Sequence, residues 1–393
     1  MNSFTTSWGA YRLTRFPEDP REQLRAWDAA DEYLLRRLAG ETEEPAVPVA
    51  LSGTVVVLGD RWGALTTALA GHTPVVQISD SYLGQRATAA NLERNGVPAG
   101  AVRLLTTTEP PPERIDVLLV RVPKSLALLE DQLHRLAPAL HPDSVVLAAG
   151  MVTEIHTSTL QLFERLVGPT RTSLAVRKAR LVFSTPDPGQ ARPANPWPLR
   201  YALPDGIGAV SGRTVTNFAG VFCADRLDIG TRFLLQHLPP TAAAGGRTRV
   251  VDLGCGNGVL GTAVALADPR ADLLFVDESH QAVASAEATF RANAPAGARA
   301  EFLAGDALAA VPADSVDLVL NNPPFHSHRA TTDAAAWRMF TGARRALRPG
   351  GELWVVGNRH LGYHVKLRRL FGNCETVAAN PKFVILRAVT SRG

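Results

Sequence analysis

The chain has 393 residues, 46% of them hydrophobic, with 41 basic and 37 acidic side chains and a formal charge of +4. That length is too great for one compact α/β domain and suits two, and so mild a positive charge does not by itself demand a nucleic-acid partner. The three cysteines, Cys223, Cys255 and Cys374, lack CxxC spacing, which argues against a disulfide framework or a zinc site. The first 20 residues contain no apolar signal core and no apolar run is long enough to span a bilayer, so a soluble, cytoplasmic protein without metal or membrane partner is expected.

In chain order, residues 21–38 make an Ala- and Leu-rich helical window, and residues 55–65, VVVLGDRWGAL, run from an apolar strand through a turn into a helix. Residues 115–119 and 143–149 are further strand candidates. Between Ser184 and Asp205 stand six prolines, at 186, 188, 193, 196, 198 and 204. They exclude a helix or a central strand, so the segment reads as a semi-rigid linker with extended pieces and a domain boundary near residue 190. Residues 201–218 then form a small entry element to the second half.

The second half opens its chemistry at residues 249–258, RVVDLGCGNG, an apolar strand entering a glycine-rich turn and then the helical pattern 259–267. Gly254, Gly256 and Gly258 let the backbone turn tightly and approach a ligand, while the following helix start offers unpaired N–H groups. Asp252 and Cys255 belong to this candidate cofactor site; Cys255 reads as packing under the ligand, not as a nucleophile. Asp277 closes the next apolar strand at the spacing where a carboxylate commonly meets ribose hydroxyls. Asp306 is placed to accept from an adenine amino group. Alone, each Asp also reads as a strand-end or helix-cap residue.

Residues 321–326, NNPPFH, follow the apolar stretch 316–320. A lone NPPF reads as a proline-rich turn, but behind a glycine turn and two spaced carboxylates it suits chemistry on a planar amine. The amino nitrogen of a nucleobase or amide shares its lone pair with a π-system and is a poor nucleophile. The Asn322 side-chain oxygen and the Pro323 carbonyl can accept its two N–H groups, Pro324 stiffens the corner and Phe325 can stack on the ring. Helical windows at 279–294 and 333–347 and strands at 350–356 and 383–388 complete an alternation typical of a mainly parallel sheet covered on both faces.

The first half repeats the second. Leu58-Gly59 falls on Leu253-Gly254, Gly63 on Gly258, residues 115–119 on 316–320 and residues 143–149 on 350–356. Val57 replaces Asp252, Arg61 replaces Gly256, Trp62 replaces Asn257, and Val120-Arg121-Val122-Pro123-Lys124 stands in place of residues 321–325. Large side chains therefore occupy the turn, and the amine acceptor and ring are gone.

Phe222, Leu227-Asp228-Ile229-Gly230-Thr231-Arg232-Phe233, the NPPF run, Gly350-Gly351-Glu352-Leu353-Trp354 and the tail residues 357–363, 371–374 and 380–386 resemble the RsmC/RlmG family of rRNA guanine-N2 methyltransferases, the tail being closer to the RlmG branch, which modifies 23S rRNA. The resemblance implies two tandem class I (Rossmann-like) methyltransferase domains with mainly parallel seven-stranded sheets and an antiparallel last strand: a degenerate copy over 1–190 that binds RNA or supports the fold, and a catalytic domain over 191–393. It implies S-adenosyl-L-methionine as cofactor, held by the glycine turn, Asp277 and Asp306 with Gly230 and Thr231 beside its methionine end, and a guanine held by residues 322–325. Basic clusters at Arg171/Arg177/Lys178/Arg180, Arg344/Arg345/Arg348 and Lys366/Arg368/Arg369 are candidate phosphate contacts, at least one of them expected to meet RNA. His326, His328, Arg329, Arg359 and His360 are candidates around the target nucleotide. Other readings are a 16S rRNA enzyme of the RsmC branch, an adenine-N6 or glutamine-amide methyltransferase, and a non-catalytic RNA-binding assembly factor.

Overall fold

The computed structural model describes residues 2–19, 22–42, 47–98, 100–240, 248–324 and 329–391, and for residues 329–332 the backbone alone. The chain forms two units, Met1–Pro196 and Trp197–Gly393.

In the first unit a hairpin, β1 (Asn2–Thr6) and β2 (Gly9–Leu13), precedes α1 (Ala29–Leu38). The alternation continues through β3 (Val55–Leu58), α2 (Ala64–Ala70), β4 (Val75–Ser79), α3 (Tyr82–Arg94), β5 (Val102–Thr106), β6 (Ile115–Arg121), α4 (Leu126–Leu136), β7 (Leu140–Met151), α5 (Thr157–Leu166), β8 (Thr170–Thr172) and β9 (Ala179–Ser184). The second unit begins with the hairpin β10 (Leu199–Ala202) and β11 (Thr214–Asn217) and the short helix α6 (Ile229–Leu235). It proceeds through β12 (Arg249–Leu253), α7 (Val259–Ala267), β13 (Asp272–Asp277), α8 (His280–Asn293), β14 (Arg299–Ala304), β15 (Val316–Asn321), α9 (Arg329–Ala346), β16 (Leu347–Asn358), α10 (Tyr363–Phe371), β17 (Glu375–Ala379) and β18 (Phe383–Val389).

The two seven-stranded sheets have one topology, β5-β4-β3-β6-β7-β9-β8 and β14-β13-β12-β15-β16-β18-β17. In each, the first five strands of that order are parallel and the last strand of the unit in chain order, β9 or β18, lies antiparallel between its neighbours. This is the expected Rossmann-like class. Successive side chains of a strand point to opposite faces, so Val250 enters one core and Val251 and Leu253 the other, as Val55 and Val57 oppose Val56 and Leu58 in the first unit.

Two expected boundaries shift for local reasons. Helix α1 starts at Ala29, not near residue 21, because Asp28 accepts from Ala30 N–H and Asp31 accepts from Asp28 N–H, a reciprocal cap that sets the first turn there. The proline-rich segment does not part from the first unit at residue 190. Gln190 donates to the carbonyls of Glu164 and Arg165 and Arg192 donates to Leu166 O, so the last turn of α5 is satisfied by this segment and the division falls after Pro196. Residues 199–202 at the end of this segment are strand, paired in a two-stranded hairpin with residues 214–217.

The repeat is exact enough to compare atom by atom. Gly63 and Gly258 have φ of +81° and +74°, and at each a Cβ would lie 2.7 Å from a helix backbone, Thr88 Cα in α3 and Ala286 Cα in α8. Asp252 Oδ2 accepts from Gly261 N–H at 2.8 Å. The first unit has Val57 there, and the job passes to Asp60, whose carboxylate accepts from Thr66 N–H at 2.8 Å and also from Gly63 and Ala64.

At the place of Asn322 the first unit carries Arg121, fully buried. Its guanidinium meets Asp31 at 2.7 Å and Asp28 at 2.9 Å and donates to Ala149 O at 2.8 Å. Arg61, at the place of Gly256, reaches Asp28 at 3.2 Å and Glu154 at 2.5 Å. Burial, opposed by Arg121, pushes the Asp31 carboxyl up to about 7. An ion-pair network thus occupies the corner that the second unit leaves for chemistry. Arg121→Met should destabilise the protein by about 3 kcal/mol in equilibrium denaturation, because Asp31 and Asp28 lose the cation that compensates their burial.

Candidate active site

The parallel pairing of β12 with β15 sets Leu253 opposite Asn321, so the glycine turn and the Asn-Pro-Pro corner emerge side by side at the carboxyl ends of neighbouring strands. Asn321 is buried and donates to Leu253 O at 2.7 Å, stitching the two strand ends together. A Cβ on Gly254 would lie 3.2 Å from Met339 Cε and 4.0 Å from the Asn322 backbone oxygen. The corner therefore faces the glycine turn.

Asn322 is half-buried, Pro323 buried and Pro324 exposed. The Asn322 amide nitrogen donates to Asp228 Oδ2 at 3.0 Å and to Thr231 Oγ1 at 2.9 Å, while its side-chain oxygen is buried and has no partner among the described residues. Asp228 caps α6 by accepting from Thr231 N–H at 2.8 Å, and Gly230 beside it holds a Cβ position 3.6 Å from the Asn322 side-chain oxygen. Phe325, His326 and His328 lie outside the described residues, as does the Arg329 side chain.

On the other side of the turn, Gly256 has φ +51° and a Cβ there would meet nothing within 4 Å, leaving open space against the backbone. Asp277 Oδ2 accepts from Gly256 N–H at 3.0 Å, which puts the carboxylate at the edge of that space, and Asp277 Oδ1 accepts from Ser279 N–H at 3.1 Å. Asp306 pairs with Arg338 of α9 at 3.3 Å. Cys255 is buried in the core; burial, with Asp277 and Asp252 nearby, raises its thiol well above the ordinary range, so it stays protonated and unreactive. Asp252 is buried as well, beneath the turn, and touches the open side only through the backbone it supports.

Residues 1–188 match the family model described as "RLMG N-terminal domain" and residues 212–387 that described as "Methyltransferase small domain". A Streptomyces coelicolor protein named "Ribosomal RNA large subunit methyltransferase G" is 73% identical, over 98% of this chain and 99% of that one. A Pseudomonas aeruginosa protein of the same name is 49% identical, over 99% and 100%. The chain belongs to the ribosomal RNA large subunit methyltransferase G family. Among solved structures, the T. thermophilus 16S rRNA N2 G1207 methyltransferase (RsmC), in complex with AdoMet and guanosine, superposes with a TM-score of 0.74 at 22% identity, over 96% of this chain and 98% of that one, a likeness of fold.

Membership of this family directs attention to basic surfaces. The cluster at 344–348 is engaged within its own unit: Arg345 donates to the carbonyls of Leu308, Ala309 and Val311, and Arg348 pairs with Asp317 at 2.9 Å. Lys366 pairs with Asp333 at 2.7 Å. Arg177 and Lys178 stand exposed at the tip of the β8–β9 hairpin. Among the described residues no group of three or more His, Cys, Asp and Glu side chains is placed to hold a metal, and no helix is long and apolar enough to cross a membrane.

Asp228 has no task in the sequence pattern beyond its place in the run 227–233. Its position before Ile229-Gly230-Thr231 marks it as a helix cap, but the contact with Asn322 joins residues 94 apart in sequence and has no local signal.

Burial, with Asp277 nearby, pushes the Asp252 carboxyl up from 3.8 to about 7, against the smaller lowering by Gly261 N–H. The folded protein thus keeps a proton that the unfolded chain releases, and stability falls as pH rises from about 4 through about 7. Asp252→Asn retains an oxygen for Gly261 N–H and cannot ionise. Its stability relative to the parent should improve by about 2 kcal/mol between pH 5 and pH 8 in urea denaturation.

Proposed function

We propose that this chain methylates the exocyclic N2 of a guanine in 23S ribosomal RNA, in the cytoplasm, with S-adenosyl-L-methionine as donor. The observation that carries the reading is the side-chain oxygen of Asn322, buried, without a partner among the described residues and set in a corner that faces the glycine turn. A buried acceptor without a donor is costly and calls for an incoming N–H group. The large-subunit name shared by relatives at 49–73% identity favours 23S over 16S rRNA.

The residues present fit the cofactor. The open side of Gly256 admits a ligand to the backbone, Asp277 offers a carboxylate for ribose hydroxyls at the edge of that space, and Asp306 lies at the end of the adjoining strand for the adenine amino group. Gly230 and Thr231 adjoin Asn322, where the methionine end would meet the substrate. The cofactor supplies an electrophilic methyl group on a sulfonium.

The protein's part is to make a sluggish nitrogen reactive and to aim it. Asn322 Oδ1 and the Pro323 carbonyl accept the two amino hydrogens, which favours a pyramidal nitrogen whose lone pair points at the methyl group. Pro324 fixes the corner and Phe325 stacks on the base. The amine gains positive charge as the bond to carbon forms and loses a proton to water afterwards. The guanine is unpaired or flipped out, because an amino group inside a base pair cannot reach the donor.

The first unit holds RNA in this reading. Arg177 and Lys178 occupy the two central positions of a tight turn, between Val176 and Ala179, with φ of +48° and +64°. Side chains other than Gly, Asn or Asp are strained there, so the turn keeps two cations at a cost in stability. Arg177 also pairs with Glu32 at 2.9 Å, and over the Phe183 ring farther along the hairpin lie Arg171 and Arg37; these cations are suited to phosphates.

Asn322→Ala should lower turnover on the order of 100-fold with cofactor affinity nearly unchanged; titration calorimetry and labelled methyl transfer to rRNA measure both, and near-normal turnover would remove the mechanism. A protein that binds no cofactor at all would instead be an RNA-binding assembly factor. Replacing the hairpin tip, Arg177→Asn with Lys178→Gly, should raise stability by about 1 kcal/mol while weakening RNA binding and flattening its salt dependence.

A further inference from the structure

Asp228, Thr231 and Asn322 form a closed hydrogen-bond set whose proton order is fixed by one fact, that an ionised carboxylate only accepts. Asp228 Oδ2 accepts from Thr231 N–H at 2.8 Å and from the Thr231 hydroxyl at 3.2 Å. With its hydrogen committed to Asp228, the Thr231 oxygen must accept from its remaining neighbour, the Asn322 amide nitrogen at 2.9 Å. The second Asn322 N–H then goes to Asp228 at 3.0 Å. Turning the amide over would set its oxygen against a carboxylate oxygen and a hydroxyl oxygen that has no hydrogen left for it.

We infer that Asp228, acting with Thr231, is the positioning group of the reaction: it locks the Asn322 amide in the one orientation that presents Oδ1 to the substrate amine, and polarises that oxygen through the N–H it accepts. The inference rests on the proposed role of Asn322 as amine acceptor. The amide nitrogen is engaged on the Asp228 side, and the opposite oxygen is buried with no partner among the described residues. Hydrogen bonds in series strengthen one another, so donation to a carboxylate makes the amide oxygen a better acceptor as the amine becomes cationic. A preoriented acceptor spares the reaction the reorganisation that a freely turning amide would need.

The test uses Asp228→Asn, which keeps the shape and the helix cap but replaces an acceptor-only group by an amide that can donate, so that Asn322 can settle either way round. The expected result is a fall in kcat on the order of tenfold, with KM for rRNA, cofactor Kd and melting temperature within experimental spread of the parent. Thr231→Val, which removes the second acceptor, should fall similarly, and Thr231→Ser should restore most of the rate. In an Asn322→Ala background Asp228→Asn should change kcat less than twofold, since no amide remains to be oriented; a merely structural role would multiply the two losses. Full kcat in Asp228→Asn, or multiplicative losses, would overturn the inference. If Asn322→Ala loses turnover and Asp228→Asn does not, the positioning role alone fails; if Asn322→Ala keeps turnover, the acceptor reading fails with it.

Discussion

The register that pairs Leu253 with Asn321 is the constraint on which the second unit's chemistry depends. Parallel strands end on the same side of a sheet, so one in-register pairing delivers a glycine turn and an Asn-Pro-Pro corner to the same point. Asn321, by bonding to Leu253 O, spends its side chain on holding this alignment, and in the proposed reaction Asn322 is the one that meets the substrate. A slip of one residue would turn Asn322 to the other face and part it from Asp228 and Thr231.

The first unit shows what the same backbone does when that corner is filled. Its strand order is identical, its helix-packing glycine is kept, and its helix-supporting carboxylate has moved from the strand end to the turn, from the place of Asp252 to Asp60. The supporting hydrogen bond to the following helix survives because the fold needs it. The open space does not survive, because Arg121, Asp28 and Asp31 now form a buried ion-pair network there. Such networks contribute little net stability over apolar packing but penalise the loss of any member.

Buried carboxylates play opposite parts in the two halves. Asp31 is compensated by a cation, whereas Asp252 rests on the Gly261 N–H alone among the described residues, and burial raises both to about 7. Asp228 differs again: it is only partly buried, and its Oδ2 accepts from three donors at once. One carboxylate supports a helix, another closes a vacated site, and the third orients an amide.

Much of this was legible in the chain itself. Glycines followed by an apolar helix mark the strand-to-helix turn, and in the proposed reading the carboxylates at strand ends and the NPPF run mark where a ligand and an amine belong, because each residue type answers a local backbone or chemical need. The duplication was legible for the same reason: Gly63 repeats Gly258 wherever two helices and a turn must touch. Helix α1 began late because two neighbouring Asp residues cap one another, a detail below the resolution of an apolar pattern. What only the tertiary structure decided were contacts between residues far apart in sequence: Asp228 on Asn322, Arg121 on Asp31, the engagement of Arg345 with loop carbonyls. Sequence sets each group's chemistry, but whether a carboxylate caps, pairs or orients depends on which distant donor the folded sheet brings within about 3 Å.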